Sequence, residues 1–128
     1  MTTETSPRTD DTRTAVLGVL TRLEARHANR SAWCQGAYAR SKTGRAVNFN
    51  SRRVVATCLL GGFEIETREQ LLVNVCVKAR ELLLLAARDL FKNTLMDIND
   101  IFGYDAVRAV ERRAVELAEA ELSSTTAS

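Results

Sequence analysis

The sequence predicts a mainly α-helical fold: four to five helices around a long central helix, with a short β-hairpin near residues 33–49. Two observations predict it. Apolar residues recur at three- and four-residue spacing through most of the chain, the mark of amphipathic helices. A period of two takes over at 33–40 and is followed by a turn signal. The composition is ordinary for a globular domain, with a single Pro, at position 7. A chain of 128 residues fits one domain, and a helical one of this size can bury a core without disulfides or metals.

Residues 1–10 are rich in Thr and Ser with no large apolar residue beyond Met1, which reads as a disordered tail. The domain is expected to span 11–122. Asp11 or Thr12 suits a helix N-cap, and Val16, Val19, Leu20 and Leu23 form one apolar face of a helix ending near Asn29. Trp33, Gln35, Ala37 and Ala39 then alternate with Cys34, Gly36, Tyr38 and Arg40. Ser41-Lys42-Thr43-Gly44 reads as a turn and 45–49 as the returning strand. An isolated hairpin is marginal in water, so this one is expected to lie on the helices, anchored by Trp33.

Asn50 or Ser51 is read as the cap of a short helix carrying Val54, Val55, Cys58 and Leu59, closed by Gly61-Gly62. Arg52 and Arg53 would fall in its first turn, where the helix dipole disfavours cations; that local cost points to a partner-facing role. Thr67-Arg68-Glu69-Gln70 has capping-box spacing and opens the longest pattern, to about Lys92. Its stripe, Leu71, Leu72, Val75, Cys76, Ala79, Leu82, Leu83, Ala86 and Leu90, is widened by Val73, Val77, Leu84 and Leu85. A helix apolar over most of its girth is expected to be the core helix, with surface left for self-association. Residues 93–103 read as one helical turn plus a loop, with Asn99 and Asp100 capping backbone groups. Asp105 caps a last amphipathic helix through Leu122, and 123–128 read as a frayed tail.

The net charge of +2 hides a segregation: −1 over residues 1–25, +7 over 26–63, where no acid occurs, and −4 over 64–128. Such a tract can steer an acidic partner or nucleic acid. No apolar run reaches the ~18–20 residues of a membrane span. The first residues lack the basic start and apolar core of a signal peptide, so a soluble cytoplasmic protein is expected.

Chemistry is sparse. Cys34, Cys58 and Cys76 stand 24 and 18 residues apart with only one His, His27, which does not suit a structural zinc site. Asp97, Asn99 and Asp100 open like a calcium loop, but its required Gly and Glu positions hold Phe102 and Arg108. A His27/Cys34 pair oriented by Asp97 or Asp100 is the only conceivable nucleophile arrangement, and there is no elbow motif or phosphate loop. No catalytic residue, metal or cofactor is expected.

The spacing Trp33-x-Gln35-Gly36-Ala37, Gly44-Arg45-x-Val47, Cys58-Leu59-x-Gly61 and Asn99-Asp100 before Gly103 resembles a small family of uncharacterised proteins. They come from actinobacteria and their bacteriophages and are classed as a domain of unknown function. The likeness covers about residues 12–120. Such relatives carry Trp-Asn-Asp where this chain has Ile98-Asn99-Asp100, and Gly-Ala where it has Gly61-Gly62. The resemblance implies a compact, mostly helical cytoplasmic protein with no assigned activity, in a phage or prophage setting where small accessory proteins bind host factors.

The expected function is a small non-enzymatic binding protein. It would engage a host or self protein partner through Arg40, Lys42, Arg45, Arg52 and Arg53, with Trp33, Gln35, Asn99 and Asp100 as structural anchors. The alternative is nucleic-acid binding through the same tract. No membrane partner is expected, and the long helix offers a face for a homo-oligomer.

Overall fold

The apolar face of Val16, Val19, Leu20 and Leu23 is buried in α1 (Thr5–Arg26), which packs on two other long helices, α3 (Val73–Phe91) and α5 (Tyr104–Ala127). Between α1 and α3 lie three strands, β1 (Ala39–Ser41), β2 (Ala46–Val47) and β3 (Val54–Thr57), then α2 (Leu59–Thr67). The short α4 (Leu95–Asp97) and a π-helical turn over Ile98–Phe102 precede α5. The computed structural model describes residues 5–127, with side chains from 12 to 124. Among the described residues there are thus five helices, with α3 central, and one antiparallel sheet of order β2-β1-β3. No helix of these residues is long and apolar enough to cross a membrane.

The core gathers Leu20 and Leu23 of α1, Leu59 and Phe63 of α2, Val75, Ala79, Leu82, Leu83 and Ala86 of α3, and Val107, Val110 and Ala114 of α5. Burying aliphatic side chains of this kind contributes about 1.5–3 kcal/mol each. Alanines at 79, 86, 87, 106 and 114, all buried, let the helices approach closely.

The hairpin is present but narrower than the alternation suggests. Only Ala39–Ser41 and Ala46–Val47 pair, with Ala39 opposite Val47 and Arg40 opposite Ala46. Gly44 closes the turn with a left-handed φ of 84°, its N–H donating to the Ser41 carbonyl. Trp33, Gln35 and Ala37 precede the strand, and Trp33 makes only an isolated bridge to Thr57. Over 33–38 no strand ladder underlies the period of two; the side chains of Trp33 and Gln35 reach the π turn instead.

The helix read over 50–60 is a correction. Val54–Thr57 form the third strand, pairing with β1 as Ala39 to Thr57 and Arg40 to Ala56. Two adjacent β-branched valines and a threonine favour the pleated conformation, and β1 offers a partner edge that the local pattern does not reveal. Arg52 and Arg53 accordingly lie in the turn before β3 and face no helix dipole. The following helix begins at Leu59, capped by Cys58, whose Sγ accepts the Gly61 N–H at 3.2 Å.

Gly61-Gly62 lies inside that helix instead of ending it. A Cβ on Gly61 would sit 2.0 Å from the Tyr38 carbonyl oxygen, so only glycine lets α2 lie against the chain entering β1. The capping box at 67–70 is also absent. Thr67 ends α2 and donates to the Phe63 carbonyl, while Gln70 accepts from the Leu72 N–H ahead of α3. Leu71 and Leu72 fall outside the long helix and are exposed.

At the ends, α1 begins at Thr5, so the segment 1–10 overlaps its first six residues; residues 1–4 lie outside those described. The last helix starts at Tyr104, with Asp105 in its first turn, and continues to Ala127, beyond the expected end at Leu122; Ser128 is outside the described residues.

Candidate binding groove at the hairpin end of the sheet

Of the seven cations between 26 and 63, three are committed to the fold. Arg26 makes two hydrogen bonds to Glu66, at 3.0 and 2.6 Å, and Arg30 lies 5.0 Å over the ring of Tyr104. Arg40 folds back along the hairpin, donating to the Gly44 carbonyl at 3.0 Å and the Gln35 carbonyl at 2.9 Å. It therefore staples the hairpin to the segment before it and does not join the surface expected for it.

The other four meet. Lys42 and Arg45 from the β1–β2 turn, and Arg52 and Arg53 from the turn before β3, line one open concavity of about 360 Å³ with Ser41, Thr43, Val47 and Val55. The pairing order explains the convergence. With β1 in the middle, the β1–β2 turn and the segment entering β3 lie at the same end of the sheet. Among the described residues none of these four cations pairs with a carboxylate. Val55 is half exposed and gives the groove an apolar wall.

Behind the sheet, the anchor residues form one network. Asn99 is buried in the π turn, and its Oδ1 accepts from Trp33 Nε1 at 2.7 Å and from the Leu59 N–H at 2.9 Å. Its Nδ2 donates to the Cys34 carbonyl and to Asp100 Oδ1, so both ends of the amide are fully used. Gln35 donates to the carbonyls of Asn99 and Asp100, and the Gly36 N–H donates to Asp100 Oδ1. Trp33 also stacks, tilted, on Tyr104 at 5.5 Å. The network ties the hairpin's entry to α2 and to the turn before α5.

His27 does not meet Cys34. It is completely buried, with Nδ1 2.5 Å from Glu111 Oε2 and Nε2 2.8 Å from Thr57 Oγ1. Hydroxyl, imidazole and carboxylate follow one another as in a nucleophilic triad, but Thr57 and Glu111 are each only 1% exposed, so substrate has no approach. The trio joins the end of α1 to β3 and α5. Burial pushes the Glu111 carboxyl above its ordinary range, against the pull of His27 and Arg108. Burial, and then the neighbouring Cys58, pushes the Cys34 thiol up to about 11, which leaves it an un-ionised and poor nucleophile. Asp97 and Asp100 do not orient the imidazole; Glu111 does.

Glu111 and Thr57 lie outside every motif of the sequence. Glu111 carried a signal: it falls among Val107, Val110 and Ala114 on the apolar face of the last helix, where a carboxylate needs a buried partner. No family model, curated protein or solved structure matches the chain.

Proposed function

We propose that the protein is a small non-enzymatic binding module that takes an acidic segment of a protein partner in the groove of Lys42, Arg45, Arg52 and Arg53. One observation carries this reading: four cations from two separate turns converge on one concavity without a carboxylate partner. A cation set left unpaired beside an acidic remainder of the chain favours a ligand that supplies the missing negative charge. Val47 and Val55 in the wall favour an acidic peptide with interspersed apolar side chains over a bare phosphate backbone. The hydroxyls of Ser41 and Thr43, 3.1 Å apart and bonded to each other, leave one O–H between them to donate to a carboxylate.

The three cysteines are free, and Cys34 and Cys58 are buried as thiols, which supports a reducing compartment such as the cytoplasm. The phage or prophage setting rests on the motif resemblance alone.

Nucleic-acid binding is the second reading, favoured by the same unpaired cations. Fluorescence anisotropy of two probes separates them: a labelled peptide of alternating Glu and Leu, and a labelled single-stranded oligonucleotide. The peptide should bind, and alanine at the four cations should weaken it at least about tenfold, the loss of ~1.4 kcal/mol. Binding of the oligonucleotide alone, with a steep salt dependence, would replace the protein-partner reading. No binding of either probe at low salt sinks both.

A further inference from the structure

The face of α3 opposite the core has no cover. Val75, Ala79, Leu82, Leu83 and Ala86 point inward and are buried, yet Val73, Val77 and Leu84 are exposed by 74%, 50% and 43%. At 3.6 residues per turn, these three fall on one narrow stripe, with Arg80 on one flank and Glu81 on the other, joined two turns further along by the exposed Arg88, all within about 100° of arc. Arg80 and Glu81 are both exposed, and among the described residues neither forms an ion pair. Being adjacent in the helix, they cannot satisfy one another.

We infer that this stripe is the seam of a homodimer, with the α3 helices of two copies side by side and parallel. A two-fold axis running along the helices places Val73, Val77 and Leu84 against their own counterparts. The same axis brings the Arg80 flank of each copy against the Glu81 flank of the other, so both unpaired charges find partners twice over. An isologous contact needs a surface complementary to itself, and an apolar stripe with Arg80 on one side and Glu81 at the same level on the other meets that condition. The inference is independent of the basic groove, which lies on the sheet.

The test is the mass of the full chain by sedimentation velocity over a range of protein concentrations. The wild type should approach twice the 14.2 kDa of one chain. Arg80→Glu sets Glu against Glu on both flanks and should return the monomer mass, with an unchanged helical circular dichroism spectrum. Combining Arg80→Glu with Glu81→Arg restores opposite flanks and should restore the dimer. A wild type that stays monomeric, an Arg80→Glu variant that stays dimeric, or a double variant that stays monomeric would each overturn the proposal.

Discussion

Asn99 shows how much of this fold hangs on single side chains. Its carbonyl oxygen accepts from the Trp33 indole and from the first N–H of α2, so truncation leaves two donors without partners at a buried site. At roughly 1–3 kcal/mol for each buried group left unsatisfied, Asn99→Ala should cost about 2–6 kcal/mol in denaturant unfolding. A cost within experimental error would show that water replaces the amide. The His27–Glu111 pair makes a prediction of pH. Burial raises the Glu111 carboxyl above its ordinary 4.5 in the folded chain. The folded state then holds a proton that the unfolded state has lost, so the stability this group contributes below pH 4.5 is lost as the pH climbs through the folded value. Glu111→Gln cannot titrate, and its stability should vary less with pH above 4.5 than that of the wild type. Parallel curves would mean that the carboxyl is not raised. Cys34, with its thiol near 11, should react with iodoacetamide more slowly than a free thiol at neutral pH.

At the scale of elements, the helices were legible and the sheet only half so. Val16, Val19, Leu20 and Leu23, then Val75, Ala79, Leu82, Leu83 and Ala86, and Val107, Val110, Ala114 and Ala118 are buried as their periodicity implies, because a helix records its buried face in its own sequence; Leu71, Leu72 and Leu90 of the expected α3 stripe are exposed. The strand Val54–Thr57 was not readable, since its partner is β1, thirteen or more residues away, and Val54, Val55, Cys58 and Leu59 also match a helical spacing. The glycines that follow illustrate the same limit. Gly61 marks a close backbone approach, and from sequence alone that is indistinguishable from a helix stop. Gly61→Ala should therefore destabilise by about 1–3 kcal/mol or more, as overpacking against a fixed carbonyl does. Gly44→Ala, whose Cβ meets nothing within 4 Å, should cost only the strain of a left-handed φ, on the order of 1 kcal/mol. Thermal melts of the two variants would rank them, and equal losses would mean that α2 shifts to accommodate the methyl.

Over the whole molecule, charge segregation along the chain becomes segregation in space, but only in part. Three of the seven cations were spent on Glu66, Tyr104 and the hairpin's own carbonyls, which the sequence could not reveal because those partners lie elsewhere in the chain or on the backbone. The remaining four sit together because β1 is the middle strand, so the convergence is a consequence of topology. A dimer through α3 would carry two such grooves, and a partner offering two acidic segments would then bind with an avidity beyond that of either groove. Amide chemical-shift mapping tests the groove most directly, by titrating the Glu/Leu peptide into the isotopically labelled protein. The shifts should concentrate on Ser41 to Val47 and Arg52 to Val55. Shifts centred elsewhere, or none at all at low salt, would contradict the assignment of this surface.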